Sequence, residues 1–214
     1  MRNDLADVTI IMDRSGSMIS CQIEAENGIN RLIEEQQQQD GECNFTLAQF
    51  DERYAVVYDG VPIKDVQPIK LRPCGMTALA DAIGKTINTI GDRLSKIDEK
   101  NRPSVVMVVI VTDGQENASR EFKVPQVRDM IKHQEEKYNW QFVFLGANAE
   151  AFAEGARLGV SCSSSCSYAP RKYGAAMGIV SNKMSALRGQ VIVNGEVDKF
   201  EFTDDDRVKM SEDD

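Results

Sequence analysis

Long apolar runs, clustered basic residues and paired cysteines are all missing from this sequence. No stretch approaches the roughly eighteen consecutive apolar residues of a membrane-crossing helix. The opening Met1-Arg2-Asn3-Asp4-Leu5-Ala6-Asp7 lacks the apolar region of a secretory signal. A cytoplasmic, soluble protein with no membrane partner is the expectation. Lys and Arg total 25 against 34 Asp and Glu, a net charge of −9. Without a basic cluster to track phosphates, a nucleic-acid partner is not expected. The five cysteines (Cys21, Cys43, Cys74, Cys162, Cys166) are odd in number and scattered, which fits reduced thiols better than a disulfide framework. Cys21, Cys43 and Cys74 are expected to be buried beside a sheet. Cys162 and Cys166 have no second pair, and the single histidine, His133, is remote in sequence, so a structural zinc site has too few ligands.

What is present is enough apolar residue for one ordinary core: 42% of 214 residues. The runs Val8 to Met12 and Val105 to Val111 are continuous and rich in β-branched residues, as strands buried on both faces are. Helical periodicity comes between and after them. Residues 19 to 36 place Ile19, Ile23, Ile29, Leu32 and Ile33 near one side, and residues 78 to 97 space Leu79, Ile83, Ile87, Ile90, Leu94 and Ile97 by three and four. Asn44 to Phe50 alternates at period two and is followed by Tyr54 to Tyr58, predicting a hairpin at a sheet edge. A helix at Val127 to Ile131, a strand at Trp140 to Leu145, a short helix near Phe152, a strand within 160 to 168 and a helix from Tyr173 to Leu187 complete the alternation. This order predicts an α/β fold, Rossmann-like, with an open, mainly parallel sheet, one antiparallel edge strand and helices on both faces. Residues 1–189 would form that domain. Asn194-Gly195, between Gln190 to Val193 and Glu196 to Phe202, predicts an appended hairpin over 190–202. Residues 203–214 read as an acidic tail, since 204 to 214 hold six acids and two bases.

In a parallel sheet of this kind, ligands sit beyond the carboxyl ends of the strands. The polar residues gather there. The first strand ends in Asp13-Arg14-Ser15-Gly16-Ser17, the loop Pro73-Cys74-Gly75-Met76-Thr77 precedes the clean helix, and the central strand ends in Thr112-Asp113-Gly114. Asp13, Ser15, Ser17, Thr77 and Asp113 offer only oxygens, with two carboxylates. Hard donors in that number suit Mg²⁺, with Mn²⁺ as a substitute, keeping some water. Each fragment also has a purely structural reading: Asp13 with Ser15 as a helix cap, Thr77 as an N-cap, Thr112-Asp113-Gly114 as a turn. It is their joint occurrence at one sheet edge that points to a site.

At these residues the chain resembles the von Willebrand factor type A (VWA) family. The metal-ion-dependent adhesion site of that family has the pattern D-x-S-x-S, then a Thr after the third strand, then an Asp at the end of the fourth. Asp13, Ser15 and Ser17 match the first part, Thr77 the second and Asp113 the third, and the resemblance covers residues 5 to 190. It implies direct metal bonds from Ser15 and Ser17, a direct or water-mediated bond from Thr77, and Asp13 and Asp113 acting largely through water. The sixth position would be completed by an Asp or Glu of a protein partner. Met76 departs from the second glycine that relatives often carry. Phe142 to Leu145 followed by Gly146-Ala147-Asn148 is similar to the stand-alone VWA proteins of bacteria and phages.

The resemblance implies a non-enzymatic, Mg²⁺-dependent protein-binding module for adhesion or assembly, with self-association left open. The alternatives are a metal-assisted hydrolase and a structural subunit whose ion only staples loops. Phosphatases of the haloacid dehalogenase type require a second aspartate where Ser15 stands. G-x-G-x-x-G is absent after the first strand, and His133 lies among charged neighbours without a nucleophile motif. The carboxylates of Asp204 to Asp206, or of Asp213 and Asp214, could compete for the open metal position if the tail is mobile. A merely solvating tail is the simpler expectation.

Overall fold

A computed structural model describes residues 1–211. Its centre is β1 (Arg2–Asp13), flanked in parallel by β2 (Glu42–Phe50) and β4 (Pro103–Thr112). β5 (Gln141–Gly146) and β6 (Ser165–Ser167) extend the parallel side, while β3 (Tyr54–Pro62) pairs antiparallel with β2 at the other edge. The sheet order is β3-β2-β1-β4-β5-β6. This is the expected α/β architecture.

Alternation along the strands divides the core in two. Ala6, Val8, Ile10 and Met12 of β1, with Val105, Met107, Val109 and Val111 of β4, pack under α1 (Gln22–Gln37) and α5 (Tyr173–Asn194). Ile11, Val106, Val108 and Ile110 face α2 (Leu79–Ser95) and α3 (Val124–Tyr138). Burial on both sides is what the continuous apolar runs required. A charged residue enters the α2 side: Asp7 of β1 is fully buried and takes Arg93 Nη1 of α2 at 2.6 Å. A short helix α4 (Ala149–Arg157) connects β5 to β6.

The first helical segment differs from its sequence reading. A 3₁₀ turn occupies Gly16–Cys21 before α1 begins, and Ile19 and Ile23 are exposed rather than aligned with Ile29, Leu32 and Ile33. The tight turn breaks the 3.6-residue period for Ile19, and Ile23, nine residues before Leu32 in the same helix, falls on the opposite face at about 100° per residue.

The hairpin expected over 190–202 does not form. Residues 190–194 are the last turn of α5, and Gly195 at φ +74° closes it, donating to Val191 O at 2.9 Å. Asn-Gly has the same positive-φ chemistry in a helix cap as in a hairpin turn. The chain then crosses the sheet edge with Phe200 and Phe202 buried, ring centroids 5.0 Å apart.

The segment after Thr203 is not an unordered tail. It forms α6 (Asp204–Met210), where Thr203 and Asp206 make a reciprocal capping box, Asp206 meets Lys183 Nζ at 2.8 Å and Met210 is buried. With Asp206 engaged and Asp205 paired to Lys209 at 2.7 Å, the competition imagined for Asp204 to Asp206 loses its premise of a mobile segment. Asp213 and Asp214 lie outside the described residues.

Candidate metal centre

Strand order reverses between β1 and β4, because β1 leads by way of α1 to β2 on one side while β4 lies on the other. Crevices for ligands open at such points, beyond the carboxyl ends of the strands. Asp13 ends β1, Thr112 ends β4, and Met12 pairs with Val111 just before them. Sheet geometry alone therefore sets the two strand-end loops side by side.

Asp13 is fully buried. Its Oδ1 accepts from the Ser15 amide at 2.6 Å and its Oδ2 from the Thr112 hydroxyl at 2.6 Å. Ser15 Oγ stands 3.1 Å from Ser17 Oγ, and Ser17 Oγ donates to Asp113 Oδ1 at 2.7 Å. One continuous chain of contacts thus joins Asp13, Ser15, Ser17 and Asp113. Thr77 comes from the third loop. It is buried, and a Cβ added to Gly114 would lie 3.2 Å from its Oγ1, so a side chain at 114 would crowd that hydroxyl.

The backbone ties the loops together. The Gly16 amide donates to Gly75 O at 3.0 Å and the Cys74 amide to Arg14 O at 2.8 Å. Gly75 has φ +76°, and a Cβ there would overlap the Glu52 carboxylate, which accepts the Met76 amide at 2.9 Å. Asn117 clamps Thr77 from both ends, its Oδ1 accepting the Thr77 amide at 2.9 Å and its own amide donating to Thr77 O at 3.0 Å.

Several of these supports escaped the sequence reading. Thr112 appeared there only as part of a turn, and Glu52, Asp81, Glu116 and Asn117 not at all. Asp81 accepts the amides of Arg120, Glu121 and Phe122, and Glu116 accepts those of Ala80 and Ser119. Together they latch the loop after β4 onto the first turn of α2. An acid in the first helical turn and a polar run after Asp113 were visible signals, but their pairing is tertiary.

Cys74, expected to be buried, is exposed on the strap before Thr77, its Sγ 3.3 Å from Asp51 Oδ2. That strap is irregular backbone at the surface, where no strand or helix holds the side chain inward. Cys21, Cys43 and Cys166 are buried, Cys162 is exposed, and all five are free thiols.

Burial pushes the Asp13 carboxyl up to about 6 against the opposing hydrogen bonds from Thr112 and Ser15. Burial also raises Asp113, with Ser17 opposing. Such carboxylates gain most from a nearby cation, which offsets their lost hydration. The oxygen spacing fits one. Ser15 Oγ and Ser17 Oγ, 3.1 Å apart as hydrogen-bonded oxygens, need little movement to reach the separation of about 2.9 Å of neighbouring ligands on an octahedral ion with bonds of about 2.0–2.1 Å. Among the described residues no three His, Cys, Asp or Glu side chains gather as a metal cluster. The oxygens that could hold an ion here are in large part hydroxyls.

Solved structures share this architecture. The mussel byssus proximal thread matrix protein 1, determined with a zinc-occupied MIDAS motif, matches over 84% of this chain with a TM-score of 0.60 at 17% identity. The von Willebrand factor type A protein of Catenulispora acidiphila matches over 84% with a TM-score of 0.55 at 14% identity. The chain has the von Willebrand factor type A fold. Another structure with this VWA fold, the manganese-loaded TRAP protein of Plasmodium vivax, matches over 82% with a TM-score of 0.57 at 15% identity. The chain spans 46% of the mussel protein, 42% of the Catenulispora protein and 72% of TRAP. No family model and no curated protein sequence matches the chain.

Proposed function

We propose that the chain is a divalent-metal-dependent protein-binding module, non-enzymatic, in which Asp13, Ser15, Ser17, Thr77 and Asp113 hold Mg²⁺ and a partner contributes an Asp or Glu. The observation that carries this reading is the state of the Asp13 carboxylate: both of its oxygens already accept hydrogen bonds. The hydroxyls of Ser15 and Ser17 are then the donors best placed to touch an ion directly. An ion held by uncharged oxygens stays electrophilic and takes up an external carboxylate strongly. The zinc-occupied and manganese-loaded neighbours with the same fold support a divalent ion in this crevice. Mg²⁺ is proposed over softer ions because no thiolate or imidazole belongs to the cluster. Free cysteines fit a reducing, cytoplasmic setting. No helix among the described residues is long and apolar enough to cross a membrane.

The test is affinity capture on immobilised protein with Mg²⁺ and with EDTA, run beside Asp13→Ala. The proposal expects a partner retained only by the wild-type chain in Mg²⁺. Retention that ignores both EDTA and the substitution would refute it.

A further inference from the structure

The core is incompletely covered at the end of the sheet far from Asp13. Val108 and Ile110 of β4 are fully buried beneath α2 and α3, whereas Val106, Leu94 and Trp140 in the same layer are 6%, 7% and 5% exposed. Those three side chains line a cavity of about 560 Å³ between the carboxyl ends of α2 and α3, where β4 and β5 begin. Small-molecule sites fall in this size range and share its mainly apolar lining. Gly91 of α2 borders the same cavity, and a Cβ built on it would meet no atom within 4 Å. Glycine inside a helix is less stable than alanine, and no neighbour in the chain requires the missing Cβ. What its absence provides is room in the cavity.

Charge at the cavity runs against that of the chain. Its lining carries two cations, Arg102 and Lys137, against one acid, Glu99, in a chain of net charge −9. Among the described residues none of the three forms an ion pair. Carbonyls at both helix ends already have donors: Ile97 O and Ser95 O take Arg102 at 2.8 and 3.4 Å, and Gln134 O takes the amides of Asn139 and Trp140. The Lys137 ammonium is thus left without an anionic partner at the edge of an apolar space, where a charge pair is worth more than in open water.

We propose that this cavity is a binding site, separate from the metal centre, for a small organic acid with an apolar body and a single anionic group. Burial of that body against Val106, Leu94 and Trp140 supplies most of the affinity, and Lys137, beside Arg102, selects the anion. The site lies on the α2 and α3 side of the sheet and at the opposite end of the strands from Asp13, so it needs no metal.

Fluorescence titration of the full chain with anilinonaphthalene sulfonate, an aromatic monoanion, and with neutral phenylnaphthylamine, which lacks the sulfonate, tests the proposal. Trp140 is the single tryptophan, so quenching of its emission reports on the cavity. The sulfonate should bind at one saturable site, about tenfold more tightly than the neutral probe, and equally in Mg²⁺ and in EDTA. Gly91→Leu, shown to be folded by circular dichroism, should bind both probes about tenfold or more weakly. Lys137→Gln should weaken the sulfonate alone. Should Gly91→Leu not fold, the sulfonate-only loss in Lys137→Gln decides the matter. Absence of saturable binding, equal affinity in the wild type and either folded variant, a neutral probe bound as tightly as the sulfonate, or affinity that depends on Mg²⁺ would overturn the proposal and leave the metal reading standing.

Discussion

The Thr112 hydroxyl donates to Asp13 Oδ2 at 2.6 Å, joining the ends of two neighbouring parallel strands through a fully buried carboxylate. Thr112→Val keeps the shape and removes the donor. An unsatisfied buried acceptor costs about 1–3 kcal/mol, and urea unfolding in EDTA should show a loss of that size. Magnesium affinity should fall as well, because Asp13 no longer holds its orientation. Unchanged stability and affinity would mean that the hydroxyl does not position Asp13.

Gly75 presents a different constraint, one of backbone and space. At φ +76°, with the Glu52 carboxylate where a Cβ would go, Gly75→Ala should destabilise the protein by about 1–3 kcal/mol. It should also weaken metal binding, since this loop delivers Thr77. Thermal melts with and without Mg²⁺ separate the two effects. Wild-type stability in the variant would show that the turn relaxes freely.

The pair Asp7 and Arg93 lies on the α2 side of the sheet, with Arg93 Nη1 at 2.6 Å and Nη2 at 3.2 Å from the carboxylate oxygens. Arg93→Ala leaves a fully buried aspartate without its cation, and denaturant titration should register a loss of about 3–5 kcal/mol. Asp7→Val combined with Arg93→Met should recover most of it. A single-variant loss below about 1 kcal/mol would show that Asp7 finds water or a proton at little cost.

How much of this was legible in the sequence follows from the range of each interaction. The apolar runs of β1 and β4 and the spacing of α2 are local patterns, and they led directly to the sheet and its two helical layers. The five residues proposed to hold the ion were picked out because they lie at or just beyond strand ends or just before a helix, where fold rules place ligands, in a spacing that resembles the VWA motif. What was not legible depended on distant partners. Asn194-Gly195 suits a hairpin and a helix cap equally, and only the packing of Val191 and Phe200 into the core decides between them. Asp204 to Asp206 read as a solvated run because Lys183, which holds Asp206, is remote in sequence, although the capping box of Thr203 and Asp206 is local. For the same reason Thr112 was read only as part of a turn, and Glu116 and Asn117 were not singled out.

That C-terminal helix gives a pH dependence. Partial burial pushes the Asp206 carboxyl up, but the Lys183 ammonium and the Thr203 amide and hydroxyl outweigh it and hold the group below the usual carboxylate range. A carboxyl held low in the folded state adds stability above its unfolded pKa of about 3.9, and that gain disappears as pH falls through the folded value. Wild-type protein should therefore be more stable than Lys183→Met at neutral pH, with the gap closing below about pH 4. A gap that stays constant down to acid pH would assign the effect to packing by the lysine stem instead of charge.

The most direct test of the metal centre is titration calorimetry of the EDTA-stripped, dialysed protein with Mg²⁺ and with Mn²⁺, beside Asp13→Ala, Ser17→Ala and Asp113→Ala, each first shown to be folded. One ion should bind the wild-type chain, and each substitution should weaken it by about tenfold or more, the loss expected from removing a ligand or the group that orients one. Equal affinity in Asp13→Ala, Asp113→Ala and the wild type would contradict the account, because an ion indifferent to both carboxylates is not bound where the three loops meet.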